Sequence, residues 1–180
     1  MYLITAYFDD NTNKKLERLI DGIADCSGNL FMKDHNVPPH LTISAFETRQ
    51  PEGLIPVMEK LNERLLQGEV QFVSLGVFLP YVMYVTPVLD EYLHNMALAV
   101  YDSIQNVKED GDIPNVNKFY HPSRWFPHVT LGKTLDEEQM RQAFSYMQKH
   151  FVPVTGRIVE LGLSRTNPHE DIVRIGLKRD

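Results

Sequence analysis

Hydrophobic and polar positions along the chain alternate between a period of two and a period near 3.6, the patterns of strands and helices. Residues 2–8 are aromatic and β-branched and run into Asp9-Asp10-Asn11, which predicts a strand ending in a turn. From Asn13 onward Leu16, Leu19, Ile20 and Ile23 share one helical face, and Gly28 can close that helix. A loop is predicted from Asn29 to Pro39, then a strand over 40–46. Pro51 and Glu52 open a second helix with Leu54, Met58, Leu61, Leu65 and Leu66 inward, stopped by Gly68. Residues 70–79 are apolar and strand-like.

The second half runs in the same order. A strand over 82–87 precedes a helix carrying Leu89, Leu93, Met96, Val100 and Ile104. A long loop rich in Asn, Asp, Gly and Pro follows over 106–126, and then a strand from His128 to Lys133. Thr134-Leu135-Asp136-Glu137 has the form of a capping box. It would start a helix with Met140, Ala143, Phe144, Met147 and Phe151 on one face. Strands over 157–164 and 171–178 are joined through the turn Asn167-Pro168-His169-Glu170.

Both halves therefore read strand, helix, strand, helix, strand, with one strand added at the end. Two stretches repeat at residue level. Pro39-His40-Leu41-Thr42-Ile43 returns as Pro127-His128-Val129-Thr130-Leu131, 88 residues later. Phe72-Val73-Ser74-Leu75-Gly76-Val77 returns as Ile158-Val159-Glu160-Leu161-Gly162-Leu163, 86 residues later. Nearly equal offsets in the same order point to internal duplication. One domain of 180 residues is expected, built of two pseudo-equivalent lobes that follow the sequence halves 1–80 and 81–180.

Acidic residues outnumber basic ones by 24 to 18, a net charge of −6, which argues against a protein that coats long duplex nucleic acid. It leaves room for a short groove that takes one nucleotide or one RNA end. A single cysteine, Cys26, excludes a disulfide framework and a cysteine-rich metal site. No apolar run approaches the ~18 residues of a membrane span, and residues 1–10 do not read as a leader, so a cytoplasmic monomer is expected.

The chemistry lies in His-x-Thr, present twice within predicted strands. Strand alternation puts His40, Thr42 and Ser44 on one face, and His128 with Thr130 on the corresponding face of the second copy. In-line cleavage of a phosphodiester needs a base on the attacking oxygen and an acid on the leaving oxygen. Two histidines can supply both near neutrality. Two threonine hydroxyls can hold the non-bridging oxygens as charge builds on them. That logic calls for no metal and no cofactor. From average usage, Pro-His-apolar-Thr-apolar falls by chance at roughly one position in a hundred thousand. Two copies at matched repeat positions thus select His40, Thr42, His128 and Thr130 as catalytic candidates.

Ser44, Lys133, Arg124 and Trp125 are the candidate substrate contacts. Strict alternation turns Lys133 away from the His128 face unless the strand ends or bulges there. Trp125, Phe126 and Tyr120 could form a base-stacking wall. His35 and His121 read as surface residues, and His94, His150 and His169 as structural or solvated.

With its paired His40-Leu41-Thr42-Ile43 and His128-Val129-Thr130-Leu131, the latter followed by Gly132-Lys133, the chain resembles the 2H phosphoesterase superfamily, which includes 2′-5′ RNA ligases and RNA 2′,3′-cyclic phosphodiesterases. The resemblance implies an α+β, bilobal fold, with two antiparallel sheets lining a central groove and helices outside. It implies metal-independent hydrolysis of a 2′,3′-cyclic phosphate on a nucleotide or RNA terminus, with His40 and His128 as the acid–base pair and Thr42 and Thr130 holding phosphate. Ser44-Ala45-Phe46-Glu47-Thr48 departs from the Phe-Leu-Gly-like segment of the ligase-like subgroup. Ligation at 2′-5′ linkages, or binding of nucleotides and RNA ends without turnover, remain the alternatives.

Overall fold

A computed structural model describes residues 1–107, 114–166 and 168–179. Residues 108–113 of the long loop and Asn167 of the predicted turn lie outside the described residues. The elements are β1 (Tyr2–Phe8), α1 (Asp10–Ser27), α2 (Phe31–Asp34), β2 (Leu41–Glu47), α3 (Ile55–Arg64), β3 (Gly68–Phe78), β4 (Val82–Pro87), α4 (Glu91–Gln105), β5 (Asn115–Val116), β6 (Val129–Gly132), α5 (Glu137–His150), β7 (Val154–Arg165) and β8 (Glu170–Gly176). The expected α+β class is observed, and every pairing between these strands is antiparallel.

Local chemistry explains where elements begin and end. Asp9 caps α1 by accepting from the Thr12 amide, and Gly28 closes it in the left-handed region at φ 71°. Helix α5 starts at Asp136, whose carboxylate accepts from the Gln139 amide while the Gln139 side chain reaches back. Thr134 cannot be that cap, because it sits at φ 56° and an N-cap needs extended backbone. Pro51–Leu54 form a 3₁₀ turn, and α3 ends at Arg64, so Leu66 lies beyond it and is exposed. Leu89 likewise precedes α4 and faces solvent. On α5, Ala143 and Met147 are buried, whereas Phe144 is exposed.

The strand order is β5-β2-β1-β7-β3-β4-β6, with β8 on the edge of β7 beside β3. The two expected antiparallel sheets, one around β1 and β7 and one around β3 and β4, are joined by the β3–β7 pairing into one eight-stranded surface. The central order reads alike from both ends when β1 is exchanged with β4, β2 with β6 and β3 with β7. Strands β3 and β7, one from each sequence half, have each crossed into the sheet of the other half. The sheets therefore do not follow the halves 1–80 and 81–180. The helices obey the same exchange: α1 packs on α5 and β6, while α4 packs on α3 and β2. Between them runs a core that includes Ile4, Leu41, Ile43, Leu131, Leu161 and Leu163, all essentially inaccessible.

Candidate functional site

The two motif strands sit far apart along the sheet, with β1, β7, β3 and β4 between them. They nevertheless line one cavity of about 200 Å³, to which His40, Thr42, His128 and Thr130 all contribute. None of α1, α3, α4 or α5 supplies a lining residue. The strands' core-facing side chains pack behind, as alternation requires: Leu41 and Val129 are fully buried.

Each histidine is held in the same way. The Nδ1 of His40 lies 2.8 Å from the Pro38 carbonyl, and the Nδ1 of His128 lies 2.9 Å from the Phe126 carbonyl. A carbonyl only accepts, so Nδ1 carries the proton in both rings and Nε2 is left for chemistry. The accepting residue immediately precedes a proline, Pro39 or Pro127, and a following proline restricts it to extended backbone. That is the physical role of the proline in the repeated motif. Thr86 adds a bond from its hydroxyl to the Pro127 carbonyl at 2.8 Å.

The residue after each motif threonine carries a β-bulge. Ile4 pairs with Ser44 and Thr5 with Thr42, which leaves Ile43 extra. Met83 pairs with Gly132 and Tyr84 with Thr130, which leaves Leu131 extra. A one-residue slip reverses the faces of everything downstream. It settles which way two candidate side chains face. Ser44, read as facing the groove, is instead 1% exposed, outside the cavity lining, with its hydroxyl unpartnered among the described residues. Lys133, a candidate contact that only strict alternation would turn away, lines the cavity because of the bulge, its ammonium 5.3 Å from the centre of the Phe31 ring.

Arg124 is exposed and Trp125 buried, and neither lines the cavity. The Trp125 indole N–H donates to the Thr42 carbonyl at 2.9 Å, so its place is behind the first motif strand. It belongs to a strap running along β2, in which Val116 pairs with Phe46 and the Asn117 amide donates to the Ala45 carbonyl. Of the predicted aromatic wall, Tyr120 reaches the cavity, and Phe126 lies 6.3 Å from the His128 ring. His35 lines the cavity, whereas His121 hydrogen-bonds Ser123 away from it.

The second sequence repeat also has a physical purpose. A Cβ on Gly76 would lie 2.5 Å from the Tyr84 ring, and one on Gly162 would lie 2.6 Å from the Tyr7 ring. Each glycine opens space for a tyrosine that flanks a motif histidine: Tyr84 is 5.3 Å from His128, and Tyr7 is 6.4 Å from His40. Sequence reasoning missed these tyrosines, though the repeated Leu-Gly carried the signal. It also missed His169, read as structural or solvated, which lines the cavity and stacks on His40 at 5.3 Å.

Burial pulls His40 down to about 4; the Pro38 carbonyl opposes that, while His169 and His128 reinforce it. Burial also lowers His128, against the opposing Phe126 carbonyl. Both rings are thereby biased to the neutral form, with an Nε2 lone pair free. Among the described residues, no group of three or more His, Cys, Asp or Glu side chains is placed to hold a metal ion.

The model of the 2′-5′ RNA ligase superfamily matches residues 35–170, a span that takes in both motifs and most of the chain. The chain belongs to this superfamily. These are 2H phosphoesterases, and solved structures share the fold across the whole chain. TT0787 of Thermus thermophilus superposes with a TM-score of 0.62 at 14% identity, covering 99% of this chain and 98% of its own. E. coli LigT complexed with 3′-AMP gives 0.56 at 11% identity, covering 99% and 98%. Usb1 of Kluyveromyces marxianus gives 0.51 at 12% identity, covering 98% and 97%. No curated protein matches the chain in sequence. At such low identity the superfamily member is tied to these structures by its fold, so its chemistry must be argued from its own cavity.

Proposed function

We propose that the protein hydrolyses 2′,3′-cyclic phosphates of nucleotides or RNA ends by two-histidine acid–base catalysis, a route that needs no metal ion. One observation carries this reading: His40, Thr42, His128 and Thr130 line a single cavity, and both imidazoles are tied at Nδ1. One Nε2 takes a proton from water as the water oxygen bonds to phosphorus. The other ring, which first takes up a proton at its Nε2, gives that proton to one ribose oxygen as the bond from phosphorus to that oxygen breaks. The two threonine hydroxyls donate to the non-bridging oxygens, where charge builds. Loss of the proton from the first ring then restores the resting state, in which both rings are neutral.

The lining favours a small, singly charged phosphodiester on an organic group. Lys133 is the one lysine on it, and no arginine is present among the described lining residues. Leu3, Phe31, Met32 and Val37 add apolar surface to the lining. Phe78, Tyr84 and Phe126 surround His128 with rings on which a base can stack. The LigT structure holding 3′-AMP accords with a nucleotide of that size. The cytosol is the proposed compartment; no helix among the described residues is long and apolar enough to cross a membrane.

The test is turnover of the four nucleoside 2′,3′-cyclic phosphates, a cyclic-ended RNA and a 2′-5′-linked dinucleotide, with a chelator present. Ring opening to a monophosphate is expected. Tight binding with no product from any substrate would replace this reading with that of a non-catalytic binder.

A further inference from the structure

Beside the motif residues lies a polar cluster that the two-histidine scheme does not use. His169, just ahead of β8, stacks on His40 with ring centres 5.3 Å apart and planes at 26°. The Tyr7 hydroxyl donates to Asp171 Oδ1 at 2.6 Å. Its only proton is thereby committed, so its oxygen accepts from His169 Nε2 at 3.1 Å. Asp171 Oδ1 is 3.6 Å from that same nitrogen. Arg174 donates to Asp171 Oδ2 at 2.7 Å, lies 3.6 Å over the Tyr7 ring, and has Glu160 at 3.7 Å on its far side. Burial works against charge on Asp171, but hydrogen bonds from His169, Tyr7 and Arg174 hold its carboxyl down at about 2.

This makes the two halves of the cavity unequal. His128 is ringed by Phe78, Tyr84 and Phe126, with Lys133 on the same lining. His40 faces a second imidazole with a carboxylate behind it. Tyr7 flanks it from β1, His169 and Asp171 from β8 and its approach, and His128 across the cavity. Two stacked imidazoles resist holding two protons at once. Repulsion from His169 is one of the forces that hold His40 down.

We infer that His169 is a positioning residue for His40, which fixes the ring's tilt by stacking and keeps its Nε2 unprotonated, making His40 the base that takes the proton from water and His128 the acid that gives one to the ribose oxygen. This deepens the cyclic-phosphate reading and rests on it for the reaction, though not for the behaviour of the pair. Asp171, Tyr7 and Arg174 hold His169 in place.

The experiment is a nitrogen-15 NMR titration of the histidines, with His40 assigned through His40→Gln, in the wild type, His169→Phe and His169→Gln. His169→Phe keeps a ring and removes the charge; His169→Gln keeps a polar group and removes the ring. His169 is among the groups that lower His40, so removing it makes His40 easier to protonate. With like charges 5.3 Å apart in an open cavity, its midpoint should rise by about 0.5–1 pH unit in both variants. The acid limb of kcat/KM should move up equally, lowering the rate about 3–10-fold on that limb. An unchanged midpoint in both folded variants overturns the inference, and a change in KM alone would show a packing role only. If no substrate turns over, the base role falls with the cyclic-phosphate reading, while the midpoint still decides whether His169 holds His40 down.

Discussion

Replacing Trp125 with Phe separates a residue that touches substrate from one that holds the motif strand. The indole is 5% exposed, and its N–H is the partner of the Thr42 carbonyl at 2.9 Å. Phe fills most of the space but cannot donate. A carbonyl left unpaired in a part-buried position costs about 1–3 kcal/mol. The smaller ring adds about 1 kcal/mol for imperfect refilling. A loss of about 2–4 kcal/mol is expected, and at about 2–4 °C per kcal/mol for a chain of this size the melting temperature should fall by about 4–16 °C. Scanning calorimetry reads this directly. Because Trp125 does not line the cavity, KM should stay within about twofold. An unchanged melting temperature with KM raised about tenfold would refute the reasoning and return the indole to the substrate.

Gly162→Ala places a Cβ 2.6 Å from the Tyr7 ring and 3.2 Å from the Thr5 hydroxyl, so overpacking should cost about 1–3 kcal/mol; an unchanged urea midpoint would contradict the close approach. Asp136→Ala should lose about 0.5–2 kcal/mol of stability with the cap of α5, whereas Thr134→Ala should be near neutral, a contrast that denaturant melts of the pair will show. His40 has a folded value of about 4, below its ordinary 6.5, so between those pH values the unfolded chain binds more protons than the folded one. Stability should therefore be fully present above pH 6.5 and fall as pH drops towards 4, and His40→Asn should flatten that slope in melts across the window.

The helices and motif strands were legible because their signals are local. Leu16, Leu19, Ile20 and Ile23 mark the buried face of α1, and the repeated Pro-His-apolar-Thr-apolar pointed to both ends of one cavity. What depended on pairing between distant segments was not legible. Nothing in the order of elements shows that β7 lies between β1 and β3. The bulges at Ile43 and Leu131 are set by the partner strands, so a period-two reading carried past them puts Ser44 on the wrong face and leaves the direction of Lys133 open. Trp125 and His169 lie in irregular segments, where no periodicity says which way a ring turns. Leu66 and Leu89 look helical by spacing, but each falls outside its helix's ends and is left in solvent.

The central claim is that two imidazoles, one on each motif strand, carry proton transfer at one phosphorus. Its most direct test is single-turnover opening of a nucleoside 2′,3′-cyclic phosphate, with chelator, by the wild type, His40→Ala and His128→Ala, after calorimetry has shown each variant folded. Each substitution should slow the chemical step by ~10²–10⁴-fold, and the double variant should lose far less than the product of the two. A rate within about threefold of wild type in either single variant would contradict the account.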